Sequence, residues 1–215
     1  MMNGLAEIYD RAFFAEWGRG HDKYVKSAEL IAGVLHSQLK PKRLVDLGAG
    51  CGVYADAFAR RGVEVLAIDG VVAPAEHSYP IKTEVRDLTV PFENVWGDFD
   101  IAICLEVAEH IPEEFSDAFL DNVLRFSDRL IMSAAQPDQP GHHHVNLKPK
   151  RYWVAKLAAK GWAYNRKMTG NLLGAMSMAE LPYRWMVDPI SVYDKILTPH
   201  ACKDRLPFSV SLKAP

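Results

Sequence analysis

The chain has 215 residues, 49% of them hydrophobic and 24% charged, with a formal net charge of −2. That balance belongs to an ordinary globular protein able to bury a full core, and near-neutrality argues against a chain that coats nucleic acid. No apolar run approaches the ~20 residues that cross a bilayer, and Glu7, Asp10 and Arg11 among the first apolar residues are unlike a secretory leader. Cys51, Cys104 and Cys202 are odd in number and form no Cys-x-x-Cys pair. No disulfide framework is expected, and a reducing cytosol is the default.

From the N-terminus, residues 5–39 read as helices, with Ile8, Phe13 and Trp17, then Tyr24, Val25, Ala28, Ile31 and Leu35 at helical spacing. Pro41 closes that section. Residues 43–47 form a first strand, and 53–61 a helix stopped by Gly62. Residues 63–69 are a second apolar run ending in Asp69, 84–88 a weaker third strand, and 100–105 a strong fourth. Pro112, Glu113 and Glu114 open a helix, where proline and acids suit the first turn, and it buries Phe115, Phe119, Leu120, Val123 and Leu124. Residues 129–133 make a fifth strand. Pro149 opens a helix through Lys160 that ends at Gly161, residues 170–181 are helical, and 190–197 are the last strand. The chain thus reads as one α/β domain over 1–215, with 1–40 an N-terminal helical cap and 164–187 a helical lid or insertion.

Alternating strands and helices imply a parallel sheet covered on both faces, with ligands outside the carboxyl ends of its strands. Asp46 with the turn Gly48-Ala49-Gly50-Cys51-Gly52, then Asp69, Asp87 and Glu106, all fall at such ends. Glycines there let backbone amides approach a ligand with no Cβ in the way. A nicotinamide-binding G-x-G-x-x-G would need glycine where Val53 stands, and it normally lacks an acid like Asp46.

The pattern D-x-G-x-G-x-G at Asp46, Gly48, Gly50 and Gly52 resembles the first motif of class I S-adenosylmethionine (SAM) dependent methyltransferases. The resemblance covers most of the chain. It implies a Rossmann-like fold, with a seven-stranded, mostly parallel sheet, helices on both faces and an antiparallel strand near the end. It also implies SAM as cofactor. Gly48, Ala49, Gly50 and Gly52 would approach the methionine part and Asp46 would hold the ammonium. Asp69, with Gly70, would bind the ribose diol through charge-assisted bonds. Asp87 and Leu88 would take the adenine, with Leu105 and Val107 on the adenosine side. On the residues alone, Asp69 and Asp87 could instead cap the turns that follow them. Residues 71–79, with Pro74, leave the family's usual helix there degraded.

Methyl transfer to a hydroxyl needs an aligned acceptor and a proton sink, supplied by a base or a metal. The segment Leu105-Glu106-Val107-Ala108-Glu109-His110 resembles that of ubiquinone-biosynthesis O-methyltransferases and of small-RNA 2′-O-methyltransferases. The latter resemblance implies a divalent metal, Mg²⁺ or Mn²⁺ with Zn²⁺ and Fe²⁺ as alternatives, held by Glu106, Glu109, His110 and one of His142, His143 and His144, with His144 favoured. A metal-free reading stays open, with Glu109 and His110 bonded inside the turn and the later histidine as general base.

Tyr9, Phe13, Phe14 and Trp17 form one aromatic stripe, and Met168, Met176, Met178, Tyr183 and Trp185 a second apolar set. Each is core unless it faces the cleft, where it would be a lid over a flat or partly apolar acceptor. Residues 93–121 carry only acids and 148–167 only bases. They read as solvated faces of opposite sign, or as a basic lid in which Lys148, Lys150 and Arg151 meet an anionic acceptor. The expected function is O-methylation of a small-molecule hydroxyl on a metabolite or sugar. Its rivals are an RNA 2′-O-methyltransferase and a non-catalytic SAM-binding partner subunit.

Overall fold

Leu44, Val45 and Leu47 make β1 (Arg43–Leu47) apolar on both faces, which suits only the middle of a parallel sheet. In the computed structural model, which describes residues 2–196, β1 is indeed central. It pairs in parallel with β2 (Glu64–Asp69) on one side and β4 (Ile101–Cys104) on the other. With β3 (Thr83–Val85), β5 (Arg129–Met132), β6 (Trp162–Tyr164) and β7 (Ser191–Lys195), the order is β3-β2-β1-β4-β5-β7-β6. Only β7 runs antiparallel to its neighbours, β5 and β6.

Two cores flank this sheet. On one face α3 (Asp22–Leu39) buries Ala28, Ile31, Ala32 and Leu35 beside α4 (Val53–Ala59) and α7 (Arg166–Ser177). On the other, α5 (Ser116–Val123) inserts Phe119, Leu120 and Val123, and α6 (Lys150–Ala159) inserts Trp153 and Leu157. Two short helices, α1 (Met2–Ile8) and α2 (Arg11–Glu16), precede α3; the Asp10 side chain caps α2 by accepting from the amides of Ala12 and Phe13. No helix among the described residues is long and apolar enough to cross a membrane.

Several expected boundaries move, each for a local reason. The helix expected at 170–181 runs from Arg166 to Ser177, because Asn165 caps it by accepting from the amide of Met168. Strand β3 stops at Val85, and Asp87 lies in a turn that Asn122 secures by donating to the carbonyls of Leu88 and Val90. Pro112 precedes a single 3₁₀ turn, Glu113–Phe115, before α5 begins. The short strand β6 was not expected. Residues 164–187 form the connection from β6 to β7: α7 packs in the α3-side core, and only Tyr183, Trp185 and Met186 of the expected lid reach the cleft. No helix joins β2 to β3, as Pro74 suggested. Cys51 and Cys104 are buried free thiols, whereas Cys202, Leu197 and the tail after Pro199 lie outside the described residues.

The segregated charges meet each other. Lys148 pairs with Glu113 at 2.5 Å, Lys156 with Asp117 at 2.9 Å, and Lys160 with Asp121 at 2.7 Å, so the acidic start of α5 and the basic face of α6 are zipped together. Lys150 reaches the Ile190 carbonyl and sits over the Tyr164 ring. Lys148 and Lys150, expected in a basic lid, therefore have partners inside the fold, while Arg151 is exposed. Exposed pairs are worth about 0.2–1 kcal/mol. Lys156→Ala should therefore lower unfolding stability by less than about 1 kcal/mol in a urea titration, with cofactor affinity unchanged.

Candidate active site

Strand β1 ends in a turn in which Gly48, Gly50 and Gly52 have φ of +82°, +53° and +74°, values that favour glycine. The amides of Gly48 and Ala49 both donate to the Ile68 carbonyl, at 2.8 and 3.1 Å, which folds the turn over the end of β2. A Cβ on Gly48 would stand 2.3 Å from the Val107 side chain. One on Gly50 would meet only open space. The turn is thus tight against the protein on one side and open to a cleft on the other.

The three acids differ in their surroundings. Asp69 accepts from the amides of Gly50 (2.8 Å) and Val71 (3.0 Å), while Asp87 accepts from the amide and hydroxyl of Thr89. Both therefore cap turns, and both also line the cleft. Asp46 is 3% exposed and its Oδ2 makes no hydrogen bond. Burial, with the nearby Asp69 charge behind it, pushes its carboxyl up to about 7, against a smaller opposing effect of the Ala55 amide.

The cleft has two lobes. One, of about 330 Å³, is lined by Asp69, Gly70, Asp87, Leu88 and Val107 and roofed by Leu5, Ile8 and Tyr9. The other, of about 730 Å³, contains Asp46, Ala49 and Leu105. Gly48, Gly50, Glu106 and His110 border both, so the lobes join there. Leu105 lines the larger lobe.

At the junction, Glu109, His110 and His144 bring one ligand atom each to within 4.8 Å of the others. Glu109 is fully buried, and neither carboxylate oxygen has a hydrogen bond of standard geometry. Burial and then the Glu106 charge hold its carboxyl well above the usual range. His110 Nδ1 is also buried without a partner; burial first and then His144 push this imidazole down to about 4, so it is neutral at pH 7. His144 Nδ1 donates to the Gln139 carbonyl at 3.1 Å, a bond that leaves Nε2 as the free lone pair. Glu106 lies outside the three-residue group: its Oε2 accepts from Gln139 Nε2 at 3.1 Å and its Oε1 has no partner. Its φ of +55° is a left-handed conformation costly for a non-glycine residue. His142 bonds the Ile8 carbonyl, and His143 lines the smaller lobe.

A family model described as a methyltransferase domain matches residues 19–172. The chain belongs to that family. A ubiquinone biosynthesis O-methyltransferase of Acinetobacter baylyi is 30% identical over 135 residues, which are 57% of this chain and 51% of that protein. The chain spans about half the length of the curated relatives it matches. Among solved structures, the Burkholderia thailandensis 1,6-didemethyltoxoflavin-N1-methyltransferase, with its substrate and S-adenosylhomocysteine bound, is similar with a TM-score of 0.60, 16% identity and coverage of 91% of both chains. The sugar N-methyltransferase KedS8 from Streptoalloteichus also scores 0.60, at 14% identity, covering 86% of this chain and 92% of its own. At such identities the likeness is one of fold, here the class I SAM-dependent methyltransferase fold with its seven-stranded sheet.

Sequence reasoning missed Gln139, which touches both Glu106 and His144, because a glutamine in a loop carries no signal of its own. Tyr9, read in an aromatic stripe that is core unless it faces the cleft, does face it: its ring stands 5.7 Å from that of His110. Its phenol is pushed well up by burial, then by Asp69 and Glu109.

The Asp46 environment predicts a pH dependence. If its carboxylate meets the ligand's ammonium, the protonated fraction must first lose its proton. S-Adenosylhomocysteine affinity should then rise about tenfold from pH 6 to pH 8, with proton release, in calorimetry. A flat profile would remove Asp46 as the ammonium partner. Apo stability runs the other way: the folded carboxyl keeps its proton to about pH 7 while the unfolded one loses it near the ordinary carboxylate value, so stability falls as pH rises through that window.

Proposed function

We propose that this chain is a SAM-dependent O-methyltransferase that transfers the methyl group to a hydroxyl of a small molecule such as a hydroxylated metabolite or sugar. The observation that carries this reading is the convergence of Glu109, His110 and His144 where the two lobes join. In this reading the adenosine lies in the smaller lobe between Asp69 and Leu88. The methionine end turns past Gly48 towards Asp46, and the acceptor enters from the larger lobe.

The transfer is an in-line displacement, so the protein's main contribution is alignment and exclusion of water. The imidazoles of His110 and His144 are placed to take the acceptor proton, with the Gln139 carbonyl orienting His144 for that role. Glu109, His110 and His144 also fit a divalent cation, since an orphaned carboxylate and two imidazoles bring ligand atoms within 4.8 Å of one another. Such an ion would lower the pKa of an acceptor hydroxyl; one carboxylate with two imidazoles suits Mn²⁺, Fe²⁺ or Zn²⁺ better than Mg²⁺. Glu106 lies outside that group and would become a fourth ligand only by a movement of its side chain. Buried unpaired thiols at Cys51 and Cys104 support a reducing cytosol as the setting.

An RNA acceptor would need phosphate contacts, and among the described residues no Lys or Arg lines either lobe. That favours a small acceptor. The test is calorimetric titration with S-adenosylhomocysteine, with and without Mn²⁺. Micromolar binding of S-adenosylhomocysteine, with Mn²⁺ binding abolished by Glu109→Gln, is the expected result. No binding of S-adenosylhomocysteine would overturn the reading, and Mn²⁺ binding indifferent to Glu109→Gln would remove the cation from it.

A further inference from the structure

The amino-acid end of SAM carries an ammonium and a carboxylate on one carbon, so whatever holds one group must have a partner for the other close by. Asp46 answers the ammonium. For the carboxylate the larger lobe holds no cation: Asp46, Glu106, Glu109 and Asp138 line it, and among the described residues no Lys or Arg does. The cations of the two neighbouring helices are engaged or turned to solvent. Lys23 and Lys26 of α3 are exposed, Arg60 beyond α4 is paired with Asp56 and Glu29, and Arg61 donates to the Ala57 carbonyl.

Two phenols stand where a cation is missing. Tyr24, near the start of α3, and Tyr54, in the first turn of α4, line the lobe together with Asp46 and Cys51. Neither hydroxyl has a hydrogen-bond partner among the described residues. The Tyr24 ring is braced edge to face by Trp17 at 5.5 Å and lies 6.2 Å from that of His21, while Tyr54 follows the glycine turn directly. Burial, then the charges of Asp46, Cys51 and Glu106, raises the Tyr24 phenol far above its ordinary value; burial, Tyr24, Glu106 and Asp46 do the same for Tyr54. Both hydroxyls therefore keep their protons and face the same acids. Other donors of the lobe are committed: the Tyr183 hydroxyl is bonded to His21, and the Gln136 and Gln139 amides donate to the Ala134 carbonyl and to Glu106.

We propose that the Tyr24 and Tyr54 hydroxyls receive the α-carboxylate of the cofactor, so that its amino-acid end is bound without any cation. The inference rests on the methyltransferase reading above and completes its cofactor site. Phenol donors make short charge-assisted bonds to a carboxylate. A lysine or arginine in their place would pair with Asp46 or Glu106 and compete with the ammonium, and it would repel the sulfonium. Neutral donors leave Asp46 free for the ammonium.

The experiment titrates the full chain with S-adenosylhomocysteine and with S-adenosyl-3-thiopropylamine, which is the same molecule without its carboxylate. The wild type should prefer S-adenosylhomocysteine at least about tenfold. Tyr24→Phe and Tyr54→Phe should each weaken S-adenosylhomocysteine about tenfold, the scale of a hydrogen bond to a charged group, and leave the decarboxylated ligand unchanged. The double variant should bind the two ligands within about threefold of each other, a ratio that a general weakening of the lobe does not alter. S-Adenosylhomocysteine affinity should also change less than about threefold between about 0.05 and 0.5 M NaCl, since no exposed ion pair is there to be screened. No preference in the wild type, a preference that survives in the double variant, equal loss of both ligands in the single variants, or a tenfold fall with salt would each overturn the proposal. A wild-type chain that binds neither ligand would count against the methyltransferase reading instead.

Discussion

Gly48→Ala is expected to destabilise the fold and abolish cofactor binding together. The φ of +82° costs a side-chain-bearing residue about 1–2 kcal/mol, and the new Cβ would stand 2.3 Å from Val107, an overpacking that adds about 1–3 kcal/mol. The sum, about 2–5 kcal/mol, lowers the Tm by roughly 5–15 °C for a chain of this size. The backbone shift that relieves the clash would displace a turn that borders both lobes. S-Adenosylhomocysteine affinity should accordingly fall by at least about a hundredfold, or some 2.7 kcal/mol. Val107→Ala in the same background should recover the clash portion of the stability but not the strain, a partition that a double-mutant cycle measures. A Gly48→Ala protein with unchanged Tm and affinity would show that the turn is not the rigid element described here.

Gly141→Ala should do the reverse, removing activity while sparing stability. Gly141 is exposed and its φ is not in the left-handed region, so alanine costs its backbone little. Yet the added Cβ would lie 2.2 Å from Cε1 and Nε2 of His144, and the ring, being the movable partner, must swing out of the junction. Methyl transfer, followed as release of S-adenosylhomocysteine with an accepted hydroxyl compound, should drop at least about a hundredfold, the scale of a lost acid–base group. The Tm should stay within about 2 °C and S-adenosylhomocysteine affinity should not change. Wild-type turnover in this variant would mean that His144 has no part in the chemistry.

The sheet was legible because its signals are local and strong: apolar runs at Leu44–Leu47 and Ile101–Cys104, each bounded by turn residues. That Asp46, Asp69 and Asp87 line one cleft was legible for a related reason, since acids at consecutive strand ends are brought together by topology alone. Strand β6 was missed because three residues carry too little periodicity, and α7 was placed four residues late because the cap at Asn165 was overlooked. The acceptor half was less readable. Glu109 and His110 lie close in sequence, but His144 joins them only through a fold-specific loop, and Gln139 enters through tertiary bonds that no spacing rule encodes. The opposite charges of 93–121 and 148–167 were visible, but that they would meet each other depends on α5 and α6 covering the same face.

The amides of Val145 and Asn146 both donate to the backbone carbonyl of Glu109, at 3.0 Å each. The residue whose carboxylate faces the junction is therefore also the mooring post for the chain segment that delivers His144. The distance along the backbone from Gln139, which holds His144 by its carbonyl, to that mooring is then a fixed dimension of the Glu109, His110 and His144 cluster. Natural variation in this lineage should show length changes in the helix-free stretch between β2 and β3 and almost none between Gln139 and Asn146.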